Sequence, residues 1–575
     1  MILRRISGAV TQKRLGVVLA ALLCAALWPT PQQLYADDYV VRTCSEAELD
    51  AAMAAANNPD NPQGTITFAC TGTNRITVTA PKIIRGRITI DGGNTLVLSG
   101  GTTSQVFVVA SDASLALRNI TLEQAQGGAN HGGAISVGEN GSLALVGSRI
   151  RQSRVDDAHA GGAIYSYRGN LLIESSELRG NTAGYGGAVA TDGGTLAISD
   201  TLIIDNLARS GDGGGVQAWS ATTTLTFTRL EENRGGGGGG MSIRGGSATI
   251  LGGWSLKNRS FNSGGGMYLW GGGTLNVDSY LLSGNRAQAG QGGGLYIANG
   301  SATIAHSNIQ TNDATTSGGG LSSASGRTLV RDSLMSGNTA SLDGGGISIG
   351  GGSASVERSA LLQNKATSGL GGGIHSTASM TLTNLLLQAN QAKSGGGLAV
   401  SSSPTRLINV SVVDNLAATS GGGIFSDALV AANFTSRNGV FARNLPQSCA
   451  GKLSSAGPGY NIVDDTTCSG ALTGTADNHG LAVAFVDAPF TVLGSTLQVP
   501  QLASLGLDTI PAASCPTSDI RSVTRPQGAA CDAGAVEAEA VVPLTPTPSP
   551  SPTPPPTSAT PTPAPRKVYL PLSQQ

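Results

Sequence analysis

Residues 344–364 read GGGISIGGGSASVERSALLQN, and this stretch is one unit of the repeat that decides the fold. Two glycines, then Gly or Ala, then an aliphatic residue recur twelve times, with the aliphatic residues 24 to 29 positions apart. These aliphatic residues are Ile135, Ile164, Val189, Val216, Met241, Met267, Leu295, Leu321, Ile347, Ile374, Leu398 and Ile424. A fixed period of this length is typical of a solenoid, in which each repeat buries its apolar face only against its neighbours.

Alternation within the unit shows that it is built from short strands. It places Ile347, Ile349, Ala354 and Val356 on one face, which is the strand period of two. The segments are four or five residues long between Gly and Ser, too short for helices. The sequence therefore predicts an all-β fold, a parallel β-helix of about 26 residues per coil. We expect a right-handed coil because parallel crossovers are almost always right-handed.

A column of asparagines runs in phase with the glycine repeat. Ten of them recur 25 to 27 positions apart, at Asn181, Asn206, Asn233, Asn258, Asn285, Asn312, Asn338, Asn364, Asn390 and Asn415. Identical amides stacked from coil to coil can hydrogen-bond along the solenoid axis. We expect these asparagines to be structural.

The N-terminal residues indicate export. Residues 1–36 combine a basic start, an apolar run over 15–28 and a small residue, Ala36, at the expected cleavage position, as in a secretory signal peptide. Residues 37–65 are predicted to form an N-terminal cap with a short helix, opened by Ser45 and Glu48 as a capping box, and residues 66–435 the β-helix. No later stretch approaches the ~18 apolar residues of a membrane span, so none is expected in the mature chain.

Six cysteines follow the predicted cleavage site as three pairs of sequence neighbours outside the regular coils. In an exported protein they predict disulfides, and although 15 connectivities are formally possible, neighbour pairing is the expected one. The expected pairs are Cys44–Cys70, Cys449–Cys468 and Cys515–Cys531. No CxxC motif or clustered histidine accompanies them, so neither a metal site nor a cofactor is predicted.

The C-terminal part divides into three predicted segments. Residues 436–540 form a disulfide-containing cap region, residues 541–565 a Pro/Thr/Ser-rich linker, and residues 566–575 a tail. Eleven prolines between residues 543 and 565 favour an extended polyproline-like stalk. The formal charge of the whole chain is −1, without a basic patch, which argues against nucleic acid as a partner.

Two parts of the chain resemble known bacterial families. The segments Gly132-Gly133-Ala134-Ile135 and Leu361-Leu362-Gln363-Asn364 resemble the repeats of polymorphic outer membrane proteins. The segments 460–468, 515–521 and 525–535 resemble the choice-of-anchor Q domain of exported bacterial proteins. The first resemblance implies surface display and adhesion. A Pro-rich stalk replaces the C-terminal membrane barrel of that family.

An aromatic face is the candidate ligand-binding site. The residues one and three positions after the repeat aliphatic residue should point outward, since the aliphatic residue itself points inward. Six tyrosines and tryptophans occupy these positions: Tyr165, Tyr167, Trp219, Tyr268, Trp270 and Tyr296. Exposed rings can stack on sugar rings or on a partner surface. Strand propensity alone also favours aromatic residues here.

Asp205 and Glu232 are the weaker, catalytic candidates. They precede asparagines of consecutive coils, which would place the two carboxylates roughly 5 Å apart, close to the spacing of a retaining glycosidase. The same column continues with Lys257, which could simply neutralise a solvated ladder of charges. Asp519, Arg521, Arg525 and Asp532 lie beside or between the last two cysteines, where a salt-bridged cap is the expected role.

These features favour a non-enzymatic, monomeric protein of the cell surface, the cell envelope or the extracellular space. It would act as an adhesin or a surface structural element, with a polysaccharide or another cell-surface component as partner. The alternatives are a carbohydrate-binding module that uses the aromatic face and a polysaccharide lyase or glycosidase.

Overall fold

A computed structural model describes residues 37–58, 60, 63–70, 74–401, 403–427 and 433–539. Over these residues the chain winds into a parallel β-solenoid of about 16 turns with about 26 residues per turn, which confirms the predicted fold class. Successive coils add strands to three parallel sheets, named here the glycine sheet, the wide sheet and the narrow sheet. The predicted signal peptide, linker and tail lie outside the described residues.

The glycine sheet takes the strand that follows each glycine pair. Its strands are Lys82–Ile84, Phe107–Val109, Ile135–Val137, Ile164–Tyr167, Val189–Asp192, Val216–Trp219, Met241–Arg244, Met267–Trp270, Leu295–Ile297, Leu321–Ser323, Ile347–Ile349, Ile374–Ser376, Leu398–Val400, Ile424–Ser426 and Cys449–Gly451. Gly344 has a φ of +65°, a region that glycine enters without strain. Gly345 lies against the next coil, where a Cβ atom would be 2.5 Å from the Gly372 carbonyl oxygen. The first glycine thus supplies the turn and the second the close approach.

Replacement of Gly345 by alanine should therefore strain the contact between two coils. We expect the free energy of unfolding to fall by about 1–3 kcal/mol, as for other overpacked sites. Gly350→Ala is the matched control in the same coil, because its Cβ would meet nothing closer than 3.6 Å and its φ is not positive. Urea denaturation followed by circular dichroism measures both variants, and equal stabilities would contradict the steric role.

The wide sheet receives two strands from most coils, separated by a sharp corner. Its strands are Asp37–Val41, Gln63–Phe68, Arg75–Thr77, Arg87–Asp91, Val97–Ser99, Ser114–Arg118, Thr121–Glu123, Ser142–Val146, Arg149–Arg151, Asn170–Glu174, Glu177–Arg179, Thr195–Ser199, Leu202–Ile204, Thr222–Glu231, Ser247–Leu256, Thr274–Asp278, Leu281–Ser283, Ser301–Ala305, Asn308–Gln310, Arg327–Arg331, Leu334–Ser336, Ser353–Leu362, Ser379–Gln388, Thr405–Val413, Phe434–Arg437, Val440–Ala442, Ser454–Ser455, Ile462–Val463 and Asn478–His479. The corner is a residue of positive φ, such as Ser279 at +56°, Asp332 at +51° or Asn409 at +52°.

The narrow sheet follows a second corner. Its strands are Gln126–Gly128, Arg154–Val155, Thr182–Ala183, Leu207–Ala208, Arg234–Gly235, Arg259–Ser260, Arg286–Ala287, Asp313–Ala314, Thr339–Ala340, Lys365–Ala366, Gln391–Ser394 and Leu416–Ser420. Each predicted asparagine lies at this corner, directly before a narrow-sheet strand. The amide groups hydrogen-bond from coil to coil, as expected: Asn285 Nδ2 donates to Asn312 Oδ1 at 3.0 Å, and Asn312 Nδ2 donates to Asn338 Oδ1 at 3.0 Å. The column extends one coil further than predicted, to Asn444.

The interior is one continuous apolar core that runs along the coils. The four residues predicted to face inward, Ile347, Ile349, Ala354 and Val356, are all buried. A second polar column, not predicted, lies beside the first corner: the Ser307 amide donates to Ser333 Oγ and the Ser333 amide to Ser359 Oγ, each at 3.1 Å. Buried backbone groups at both corners are therefore satisfied by side chains of the following coil.

The predicted N-terminal helix spans Glu46–Ala56. Ser45 caps it by accepting a hydrogen bond from the Glu48 amide at 3.3 Å, while Glu48 accepts from the amides of Arg42 and Thr43 rather than from Ser45. Leu49, Met53 and other apolar residues of the helix join the solenoid core. Lys82 on the first glycine-sheet strand pairs with Glu46 and Asp50, each at 2.6 Å, which fixes the helix on the first coil.

Three disulfides join the six cysteines of the described residues. Cys449 bonds Cys468, and Cys515 bonds Cys531, which confirms the C-terminal pairing. Cys44 bonds Cys70, with Cα atoms 5.5 Å apart, next to the N-terminal helix.

After the last coil the chain folds back along the outside of the solenoid. It forms an antiparallel hairpin of Phe485–Val492 and Ser495–Leu502 and a 3₁₀ turn, Ala512–Ser514. Apolar residues of this segment, including Phe490, pack on Leu334, Ala360 and Leu386 of the wide sheet. Asn409 Nδ2 donates to the Asp532 and Gly534 carbonyls at 3.2 and 3.3 Å. The C-terminal region thus covers one wall of the coils, an arrangement that the sequence did not predict.

Candidate ligand-binding face

The glycine sheet brings the six predicted aromatic residues into two columns. In one column Tyr268 lies in register with Tyr296 and with Ser242 of the preceding coil. In the other column Trp219, Arg244 and Trp270 occupy equivalent positions of three successive coils. Tyr165 and Tyr167 lie two coils before Trp219, on the same sheet. The register therefore places all six rings on one outer wall.

Three of these rings and one arginine form a continuous surface, called here the aromatic patch and defined as Arg244, Tyr268, Trp270 and Tyr296. Tyr268 stacks on Tyr296 with ring centroids 5.4 Å apart, and on Trp270 with centroids 5.9 Å apart and planes 6° from parallel. The Arg244 guanidinium lies over the Trp270 ring, 4.3 Å from its centroid. Stacked rings with a cation over one face make a broad, flat surface of defined geometry.

Contacts within the coils hold these rings in place. Trp270 Nε1 donates to Ser242 Oγ at 3.3 Å. The Tyr268 ring lies over the backbone of Gly237, where a Cβ atom would collide with it. With the Gln217 amide turned so that its oxygen faces Trp219 Nε1, that oxygen accepts from Nε1 at 2.9 Å and the amide nitrogen donates to the Asp212 carbonyl at 3.1 Å. The glycine run 235–240 thus makes room for an aromatic ring.

The rings are less exposed than the sequence predicts. Five of the six are half-buried, and Tyr167 is the most open at 39%. Burial, with a smaller contribution from Asp212 and Tyr296, raises the pKa of Tyr268 to about 12. Burial also raises the pKa of Tyr165 to about 12. Both phenols therefore remain protonated hydrogen-bond donors throughout the physiological range.

Several partners of the rings were missed by the sequence reasoning. His131 stacks on Tyr165 at 4.3 Å, and Tyr185 packs against Trp219 at 5.7 Å. Burial and the nearby His159 lower the pKa of His131, which favours its neutral form. Arg244 could have been found from the repeat, because it lies one coil after Trp219 and one before Trp270. His131 and Tyr185 lie in loops of variable length, where the period gives no register.

Asp205 and Glu232 lie at the second corner, on successive coils. Both side chains are exposed, and their backbones have positive φ, +55° and +54°. Lys257 of the following coil pairs with Glu232 at 3.7 Å. The structure thus brings the two carboxylates onto neighbouring coils at an exposed corner, with a lysine against one of them.

Of the four charged residues expected to form a salt-bridged cap, Asp519, Arg521 and Arg525 take part in ion pairs, whereas Asp532 accepts hydrogen bonds from the Asp508 and Ala538 amides. Asp519 pairs with Arg521 at 2.8 Å, and Arg525 pairs at 3.0 Å with Glu537, a partner that the sequence did not indicate. Within the described ranges, no group of three or more His, Cys, Asp or Glu residues is arranged to hold a metal ion. The described residues also contain no helix long and apolar enough to cross a membrane.

Comparison of the chain with protein-family models, with curated proteins and with solved structures found no match.

Proposed function

We propose that this protein is an exported surface adhesin that binds carbohydrate through the aromatic patch. The observation that carries the proposal is the stack of Tyr268, Trp270 and Tyr296 with Arg244 over one ring. A parallel β-solenoid with disulfides is compatible with a secreted surface protein. The sequence features of a signal peptide and a Pro-rich stalk support display away from the cell.

The chemistry of the patch suits a sugar chain. The apolar faces of sugar rings stack on aromatic rings, and sugar hydroxyls accept hydrogen bonds from phenols and guanidinium groups. Burial raises the pKa of Tyr268 and Tyr296, so both phenols stay protonated donors to a higher pH than a free tyrosine does. Since the rings are already held by their own coils, little side-chain entropy is lost on binding. The resemblance to polymorphic outer membrane proteins points in the same direction, towards adhesion.

Removal of two rings should abolish retention of the ligand. For the variant Trp270→Ala with Tyr296→Ala, we expect binding to fall at least tenfold per ring, which corresponds to about 1.4 kcal/mol each. The measurement is co-elution of the purified protein with a panel of soluble polysaccharides in size exclusion. Trp254→Ala is the matched control, because Trp254 is 42% exposed and lies on the wide sheet.

Retention that survives the double variant, or that is lost equally in Trp254→Ala, would contradict the proposal. The same experiment tests the enzymatic alternative. Shortened polysaccharide chains would show that the protein is a lyase or glycosidase. If Asp205→Asn or Glu232→Gln then abolished the shortening, the catalytic site would lie at the second corner. We expect the chains to keep their length.

A further inference from the structure

A second candidate site lies where the C-terminal segment meets the last coils. A cleft of about 270 Å³ is lined by Arg406, Arg437, Asn438, Pro458, Tyr460 and Ser514, among others. This volume lies just below the ~300–1,000 Å³ that is usual for small-molecule sites. The cleft is far along the chain from the aromatic patch, and the inference drawn from it does not rest on the proposed function.

Two arginines of the cleft lie on neighbouring coils without an acidic partner. Arg406 is in register with Thr435, so that Arg437 lies diagonally across from it on the same sheet. No hydrogen bond or ion pair joins either guanidinium to another described residue. The nearby Arg443, by contrast, pairs with Asp414 at 2.8 Å.

The electrostatics agree with this geometry. Burial and the neighbouring Arg406 both lower the pKa of the Arg437 guanidinium. An arginine nevertheless remains protonated at any physiological pH. Two uncompensated positive charges at close range repel each other, and a bound anion would remove that repulsion.

Buried polar atoms of the cleft also lack partners. Asn438 is fully buried, and its Nδ2 donates to Asn409 Oδ1 at 2.8 Å and to the Ser514 carbonyl at 2.9 Å. Asn438 Oδ1 receives no hydrogen bond, and Arg437 Nε has no acceptor. Buried polar atoms of native proteins are normally paired. Residues that line the cleft thus contain a buried amide oxygen without a donor and a buried guanidinium nitrogen without an acceptor.

We propose that this cleft binds the carboxylate of a hydroxylated small molecule, namely an acidic sugar unit. A planar carboxylate matches the two donor atoms of a guanidinium, so Arg437 and Arg406 would hold the charge. A neighbouring hydroxyl of the same ligand would donate to Asn438 Oδ1. Tyr460 supplies an aromatic wall, on which a sugar ring can stack. A sugar that bears a carboxylate next to hydroxyl groups satisfies each of these groups at once.

Titration calorimetry with glucuronate tests the site on the full secreted chain. We expect saturable one-site binding, weakened by added salt, and at least tenfold weaker binding of glucuronamide, which keeps the hydroxyls but lacks the charge. Inorganic phosphate and sulfate should also bind at least tenfold more weakly, because they do not offer the same carboxylate and ring. Arg437→Gln and Arg406→Gln should each reduce glucuronate affinity at least tenfold.

The controls separate this site from surface charge, from unfolding and from the aromatic patch. Arg327→Gln removes an exposed arginine of the wide sheet and should leave binding unchanged, as should Trp270→Ala. Thermal melting must show Arg437→Gln folded, and Arg437→Lys, which keeps a point charge, should bind with intermediate affinity. Any one of four results would overturn the proposal. These are no binding of glucuronate, equally strong binding of glucuronamide, tighter binding of phosphate or sulfate, and unaltered glucuronate affinity in Arg437→Gln.

Discussion

Replacement of Asn312 by alanine is expected to lower the free energy of unfolding by about 3–5 kcal/mol. Asn312 is buried in the middle of the asparagine column, at 1% exposure. Its Oδ1 accepts from the Asn285 backbone amide at 2.9 Å, and its Nδ2 donates to the Leu282 carbonyl at 3.0 Å. Alanine leaves both backbone groups buried without partners, at a cost of about 1–3 kcal/mol each. It also removes one acceptor of the Asn285 side chain.

Urea denaturation together with hydrogen exchange at residues 282–285 measures this loss. A solenoid need not unfold in one step, so a second transition is expected as the weakened coil separates two arrays. Asn276→Ala is the matched control, because Asn276 is exposed on the wide sheet and should change stability by less than about 0.5 kcal/mol. Equal effects of the two substitutions would contradict the structural role of the column.

The isosteric variant Asn312→Asp is expected to make the free energy of unfolding depend on pH. A carboxylate at this position would face Asn338 Oδ1 and could no longer donate to the Leu282 carbonyl. Burial next to acceptors raises the folded-state pKa of such a carboxyl group, so the folded state binds the proton more tightly than the unfolded state. Stability of this variant should therefore be highest at low pH and fall as the pH rises through the raised pKa.

Arg525→Met is expected to destabilise the C-terminal segment by about 3–5 kcal/mol. The Arg525 side chain is fully buried and pairs with Glu537 at 3.0 Å, while donating to the Asp532 and Gly534 carbonyls at 2.7 and 2.8 Å. Burial already raises the pKa of Glu537, against the hydrogen bonds that it accepts and the charge of Arg525. Methionine would leave a buried carboxylate without its counter-charge and two carbonyls without a donor.

Hydrogen exchange and limited proteolysis of residues 515–537 report this loss locally. Arg286→Met is the matched control, because its pair with Asp313 is exposed and should contribute less than about 1 kcal/mol. The double variant Arg525→Met with Glu537→Leu should regain only the part of the loss that comes from the unpaired charge. The Asp532 and Gly534 carbonyls still lack a donor, and the Gln527 and Asp532 amides lose Glu537 as their acceptor. Failure of the double variant to recover any stability would show that the carbonyl contacts, rather than the charge, dominate.

Much of the fold could be predicted from the sequence. The glycine pairs, the alternation around Ile347 and the asparagine column each recur once per coil. Each makes a contact with the next coil: Gly345 lies against the Gly372 carbonyl, and the Asn312 amide donates to Asn338 Oδ1. The second polar column, which contains Ser307, Ser333 and Ser359, was missed because it is shorter than the asparagine column. Equivalent positions of other coils hold Thr, Tyr and Leu, as at Tyr280 and Leu385.

The candidate sites were predictable only in part. The register alone places Trp219, Arg244 and Trp270 in one column, although Arg244 was overlooked. The extent to which each ring is covered depends on loops, and Gly237 beneath Tyr268 could not be matched to that ring from sequence. The outward apolar positions Leu334, Ala360 and Leu386 were the one signal that something covers the wide sheet there.

The sequence by itself determined the parallel solenoid, its period and its inward-facing residues, and it favoured the pairing that the C-terminal cysteines adopt. Those features depend on contacts between residues about 26 positions apart or fewer, which a repeat makes visible. Only the tertiary structure decided where the C-terminal segment docks, and with it the ion pair of Arg525 and the cleft around Arg437. Asn409 contacts Gly534 across 125 positions, and no periodic pattern specifies a contact that occurs once.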